Sequence, residues 1–187
     1  PHKKHLPQSV AGMYTDMLHL ARTWQDMAIF YNGAVCGASA PDHAHLQAGR
    51  FHNIPLFGEY WQEEISCGME PLLVDKEGCL YNVTTYAVPL FMIVTRTVSR
   101  SAELFRRLRA VLPLKEDETE PRMNLFVRYT PGEGYVTYIL PRAAHRPAAY
   151  HATGNAQRLV SPGAIDMAGL IITPRECDFN SIGADEA

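Results

Sequence analysis

The sequence contains no apolar run near the roughly 18 residues that a membrane span requires; its longest, Tyr86 to Val94, is strand length. It also lacks a cationic leader followed by an apolar stretch and a small-residue cleavage site, so no secretion signal is read. The chain opens at Pro1 rather than at a methionine, and the expectation is that it is a piece from which a preceding segment is missing. Cysteine is sparse: Cys36, Cys67, Cys79 and Cys177 contain no pair within four residues. That excludes a CxxC motif and argues against a disulfide scaffold, which predicts a reducing compartment, the cytoplasm. Neither sign of charge dominates, since 17 basic against 20 acidic residues leave a net charge of −3. A broad nucleic-acid surface is therefore not expected, although a pocket for one nucleotide needs only local donors. No internal repeat and no low-complexity segment is found.

What is present fits one ordinary domain over residues 1–187, with 47% apolar and 20% charged residues. Val10, Met13, Met17, Leu20, Trp24 and Met27 step by three and four, which predicts an amphipathic helix capped by Ser9. Ala28 to Tyr31 reads as a strand, Asn32-Gly33 as a turn, 36–41 as a small-residue loop and 43–49 as an alternating strand. A short helix is expected around 60–65, strands at 70–75, 79–84 and 90–95, and a helix through Leu104, Leu108 and Val111 with Ser101 as its cap. Residues 115–120 read as a solvated charged loop, 125–129 and 135–140 as a hairpin, and 164–173 as a last strand. Strands outnumber helices and mostly follow one another, so the expected class is α+β: a mainly antiparallel sheet with flanking helices.

The informative stretch is Asn32-Gly33-Ala34-Val35-Cys36-Gly37-Ala38-Ser39-Ala40-Pro41-Asp42-His43-Ala44-His45-Leu46-Gln47. In a strand, His43, His45 and Gln47 share one face and Ala44, Leu46 and Ala48 the other. Three polar side chains in a row are costly to bury without partners, so that face is either wet or a site. A neutral imidazole is a competent nucleophile at neutral pH. A hydrogen bond from Nδ1–H to a backbone carbonyl would leave Nε2 free to attack phosphorus. Gln47 offers amide donors to phosphoryl oxygens, and the loop carrying Gly37 and Ser39 can present N–H and hydroxyl groups to phosphate.

The string His43-Ala44-His45-Leu46-Gln47, with Asn32 and Gly37-Ala38-Ser39 upstream, resembles the His-x-His-x-Gln signature of the histidine-triad superfamily. The likeness is to the branch of galactose-1-phosphate uridylyltransferases, diadenosine tetraphosphate phosphorylases and GDP-galactose phosphorylases. A second patch, His145-Arg146-Pro147 with 161–169, resembles the C-terminal part of the phosphorylase-type members.

The resemblance implies a histidine-triad-like fold and a ping-pong reaction. His45 would attack the α-phosphorus of a nucleotide sugar or dinucleotide, and a covalent nucleotidyl-histidine would pass to phosphate or a sugar phosphate. The His43 carbonyl would orient the nucleophile and Gln47 would hold the phosphoryl oxygens. Hydrolytic members usually have a third histidine where this chain has Gln47, which tilts the expectation from hydrolase to transferase or phosphorylase. A hydrolase, or a nucleotide-binding module without turnover, remains the alternative. The paired cysteines that bind structural zinc in some uridylyltransferases are absent, so no metal is expected to be required; His43 is the residue that could still take one. The loop between Ser39 and His43 is one residue longer than in the uridylyltransferases, which puts the Ser39 contact in doubt. The segment that helps hold the base in the family would precede this chain. No membrane or nucleic-acid partner is expected, and a homodimer is left open.

Other residues carry alternatives. His145 and Arg146 face either the substrate or a surface partner. Arg128 lies mid-strand, where a charge points to solvent or to a phosphate. Asp166 is expected to cap a turn. Trp24, Trp61 and the tyrosines are expected in the core, and His19 off the apolar stripe of its helix.

Overall fold

The computed structural model describes residues 1–183. A seven-stranded antiparallel sheet organises the chain, in the order β2-β1-β6-β7-β5-β4-β3. The strands are β1 (Met27–Asn32), β2 (Gln47–Arg50), β3 (Met69–Asp75), β4 (Gly78–Val83), β5 (Leu90–Thr95), β6 (Met123–Thr130) and β7 (Gly134–Pro141). The helices are α1 (Tyr14–Thr23), α2 (Glu59–Cys67), α3 (Val98–Val111) and three short ones, α4 (Ala148–His151), α5 (Ala164–Met167) and α6 (Glu176–Ser181). The α+β class and the antiparallel sheet agree with the sequence.

Strand alternation divides the core in two. Ile29, Tyr31, Leu125, Val127 and Ile139 face α1 and α3. Ala28, Phe30, Phe126, Tyr138 and Leu140 face Leu56, Phe57, Ile65 and the α5 residue Ala164. Each large apolar side chain fully buried this way contributes about 1.5–3 kcal/mol. The first layer is also pinned by a polar knot. The buried Tyr14 hydroxyl bonds Ser101 Oγ at 2.8 Å and Thr137 Oγ1 at 2.7 Å, joining α1, α3 and β7.

Several boundaries differ from the sequence reading. The first helix is shorter than 10–27. Val10–Gly12 is a 3-10 turn, Ser9 makes no side-chain cap bond, and the Val10 N–H goes to Glu120 Oε2 at 2.8 Å. Met27 already belongs to β1, and Trp24 is 47% exposed rather than in the core. Tyr60 is also exposed. The Thr97 hydroxyl, not Ser101, caps α3 by accepting from Arg100 N–H at 3.3 Å; Ser101 lies buried inside that helix.

The loop 115–120 is not wholly solvated. Glu120 is buried and accepts from Tyr31 Oη, and Glu118 pairs with Arg122 at 2.5 Å. Residues 164–173 do not form a strand. Asp166 Oδ2 accepts from Gly163 N–H at 2.9 Å and Oδ1 from Ile172 N–H at 2.7 Å, so Asp166 acts as the expected cap and starts the short α5. The expected strand over 43–49 begins only at Gln47, for a reason that lies in the site.

Candidate active site

The β1–β2 ladder runs from Met27↔Arg50 to Phe30↔Gln47 and stops there. Beyond it the two segments splay, and the buried side chain of Gln8 fills the gap. Gln8 Oε1 accepts from His45 N–H at 2.9 Å, and Gln8 Nε2 donates to His45 O at 3.1 Å and to Asn32 O at 2.8 Å. One side-chain amide thus takes the place of a strand's peptide group. His43 and His45 precede β2 in an extended approach instead of lying within it, a correction to the expected strand. The segment is fixed on its other side by Ala44 N–H to Leu6 O at 2.6 Å and His2 N–H to Ala44 O at 2.7 Å.

These bonds fix the chemistry of the imidazole. His45 Nδ1 lies 2.9 Å from His43 O. A carbonyl only accepts, so Nδ1 is the protonated nitrogen and, in the neutral ring, the lone pair lies on Nε2. His43 Nε2 lies 2.8 Å from His2 O, so by the same argument it donates and is not a free ligand atom. Among the described residues no three His, Cys, Asp or Glu side chains converge as a metal site.

Gln47 is oriented by a similar argument. Asn32 Oδ1 accepts from Ala164 N–H at 2.6 Å and from Asn124 Nδ2 at 2.8 Å. Its amide nitrogen therefore faces Gln47, and it donates to Gln47 Oε1 at 2.8 Å. Among the described residues Gln47 Nε2 has no acceptor for either hydrogen. Asn32 is buried and cross-paired with Asn124 in the β1–β6 ladder. Its side chain holds Gln47 and the start of α5.

The loop between β1 and His43 packs against the C-terminal patch. Gly37 has φ +93°, and a Cβ there would lie 2.4 Å from Gly163 Cα. Only glycine allows that backbone contact. Asn124 Nδ2 also donates to Cys36 O at 2.7 Å, which anchors the loop floor. Burial pushes the Cys36 thiol up to about 11, so it stays protonated at neutral pH. Ser39 is exposed on this loop.

Arg142, at the end of β7, ties the two patches together. Its Nη1 donates to Asn124 Oδ1 at 2.8 Å and Pro162 O at 3.0 Å, and its Nη2 to His145 O at 3.1 Å. His145 and Arg146 are thereby brought to the same end of the sheet as Asn32 and Gln47. Arg128 is not. It sits four residues along β6 from Asn124, about 13 Å away at strand rise. Its guanidinium lies 3.8 Å from the Phe51 ring centroid and 5.1 Å from that of Phe57. Burial lowers its pKa, and its Nε is buried with no hydrogen-bond partner among the described residues.

A groove of about 480 Å³ lies between α1 and β2 on the sheet face of Ile29, Ala44, Leu46 and Ala48, the face opposite the one on which Gln47 meets Asn32. Gln8, Asn124, Arg142 and Gly163 were not singled out in the sequence. Only the Ser161-Pro162-Gly163 string gave a signal, and it came from resemblance rather than from spacing.

A family model described as a domain of unknown function (DUF4922) matches residues 1–50, the segment holding Gln8, α1, β1 and the histidines. The fold is similar to the crystal structure of a DUF4931 family protein from Bacillus cereus ATCC 10987, with a TM-score of 0.50 and 16% identity. That match covers 85% of this chain and 74% of the other. At this identity the likeness concerns the fold alone. The comparison with curated proteins finds no match. Among the described residues no helix is long and apolar enough to cross a membrane, and all four cysteines are free.

Proposed function

We propose that this protein transfers nucleotidyl groups through a covalent nucleotidyl-histidine on His45, as a transferase or phosphorylase acting on a nucleotide sugar or dinucleoside polyphosphate. The observation that carries the proposal is the tautomer of His45. Nδ1 lies 2.9 Å from the His43 carbonyl, so in the neutral ring the proton sits on Nδ1 and the lone pair on Nε2. A histidine serving only as a surface or core polar group has no need of a carbonyl aimed at Nδ1 and an amide clamp on its own peptide.

Gln47 Nε2 supplies donors to the non-bridging oxygens of the α-phosphate, where charge develops in the transition state. Asn32 and Gln8 are positioning residues: the first sets the Gln47 amide, the second sets the His45 backbone.

The test is mass spectrometry of the protein after exposure to a panel of nucleotide sugars and dinucleoside polyphosphates. The wild type is expected to gain one nucleotidyl mass that is acid-labile and alkali-stable, as a phosphoramidate is, and His45→Asn is expected to gain none. Gln47→Ala is expected to slow adduct formation by roughly 2–4 kcal/mol of activation free energy. A His45→Asn protein that still forms the adduct rules the mechanism out. Turnover with and without phosphate then separates a phosphorylase, which releases a nucleoside diphosphate, from a hydrolase, which releases a monophosphate.

A further inference from the structure

The C-terminal patch contains an arginine engaged on one side of its guanidinium. Arg146 Nε donates to Ser161 Oγ at 2.9 Å, and its guanidinium carbon lies 4.2 Å from the Tyr150 ring centroid. The stacking and the Nε bond lock the plane of the fork. Among the described residues Nη1 and Nη2 have no hydrogen-bond partner, and no carboxylate lies within ion-pair distance of Arg146. Ser161 Oγ accepts from Arg146, so its own hydrogen is free to donate.

Arg142 lies just beneath. Its three hydrogen bonds all end on neutral acceptors: Asn124 Oδ1, Pro162 O and His145 O. Asp166 acts on it through its charge but makes no ion pair with it, since its two oxygens bond Gly163 and Ile172 N–H. Arg142 thus adds positive charge to the patch, partly offset by Asp166. Burial, then Arg146 and Arg142, hold the His145 pKa below its ordinary 6.5, so at neutral pH the ring is uncharged and still offers one N–H.

We propose that Arg146, Ser161 and His145, over the charge of Arg142, form a subsite for the dianion of phosphate or a phosphate monoester. A planar fork with two free Nη groups matches two phosphate oxygens, and a hydroxyl and an imidazole N–H satisfy others. The subsite is linked to the nucleophile through protein. Arg142 holds Asn124, Asn124 holds Asn32, and Asn32 holds Gln47.

Assigning this anion as the acceptor rests on the proposed nucleotidyl transfer. In the first half-reaction His45 Nε2 forms an N–P bond while the bond from the α-phosphorus to the distal phosphate oxygen breaks, and the electron pair leaves with that oxygen. In the second half-reaction an acceptor phosphate oxygen forms the new P–O bond, and the N–P electron pair returns to Nε2. The group that leaves and the group that arrives both carry a terminal phosphate, so one anion subsite serves both.

Binding of inorganic phosphate and, separately, of a hexose 1-phosphate tests this by calorimetry at constant ionic strength. The proteins compared are the wild type, Arg146→Met, Ser161→Ala and Arg107→Met, an arginine on α3 that pairs with Glu103. Arg146→Met is expected to weaken binding about tenfold or more. Ser161→Ala should weaken it less, and Arg107→Met should bind as the wild type does. Equal melting temperatures of wild type and Arg146→Met without phosphate establish that the variant is folded. Tighter hexose 1-phosphate binding marks a sugar-phosphate acceptor; equal or tighter inorganic phosphate binding marks a phosphorylase. Either supports the subsite if Arg146→Met removes it. No saturable binding by the wild type, or undiminished binding by Arg146→Met, overturns the proposal. Phosphate binding lost with Arg146 in a protein that never forms the histidine adduct keeps the anion subsite and refutes nucleotidyl transfer alone.

Discussion

Replacing Gln8 with methionine keeps the length of the side chain and removes its amide. Three backbone groups then lose their partner: His45 N–H, His45 O and Asn32 O. Gln8 is 1% exposed, so water does not readily take over these bonds. A net hydrogen bond is worth about 1 kcal/mol, and an orphaned buried donor costs about 1–3 kcal/mol. The expected loss of stability is roughly 3–5 kcal/mol, a large part of the 5–15 kcal/mol typical of a domain. Gln8→Ala opens room for a water and should lose somewhat less.

Gln8→Glu adds a sign. Its carboxylate would accept from His45 N–H but face two carbonyl oxygens, so burial and repulsion raise its pKa above the free value of about 4.3. The folded protein then binds the proton more tightly than the unfolded chain, and stability falls as pH rises through the raised pKa. Urea unfolding followed by tryptophan fluorescence, at about pH 5 and pH 8, measures both effects. Gln8→Met within 1 kcal/mol of the wild type would refute the role given to the amide. So would a Gln8→Glu variant whose loss is the same at both pH values.

Asn32→Asp keeps the oxygen that accepts from Ala164 N–H but places a second oxygen against Gln47 Oε1; the Gln47 amide must turn over, and adduct formation on His45 is expected to fall at least tenfold while the protein stays folded by circular dichroism. Burial raises the pKa of Glu120 above its ordinary 4.5, against the opposing bonds from Tyr31 and Val10, so the native state holds this proton more tightly than the unfolded chain. Stability should therefore decline as pH rises from about 4.5 through the raised value, and Glu120→Gln should flatten that decline in denaturation curves taken across the window. Arg128→Met removes a half-buried cation stacked on Phe51 and Phe57 and inserts an apolar side chain of similar length. Stability should change by less than about 1 kcal/mol and adduct formation should be unaffected; a large loss of adduct would return Arg128 to the site.

The sequence by itself determined the parts governed by local periodicity. Leu90–Thr95 is a β-branched run and forms β5 at those bounds, and the Pro131-Gly132-Glu133-Gly134 signal does join β6 to β7. The separation of His43 and His45 by one residue already placed the first histidine's carbonyl within reach of the second's Nδ1, because that contact spans only two residues. Everything set by distant partners was hidden. The N–H of Val10 finds its acceptor on Glu120, 110 residues away, where the sequence offered Ser9 as the local cap. The apolar run after Gly163 becomes a helical turn because Asn32, 132 residues away, accepts from Ala164. His43 and His45 stay out of the strand because Gln8, 37 residues from His45, supplies the amide that a ladder partner would otherwise provide. Period and spacing encode which face a side chain takes. Which donor meets which acceptor is a property of segments brought together by burial, and buried polar groups choose their partners only once the sheet and its two cores have formed.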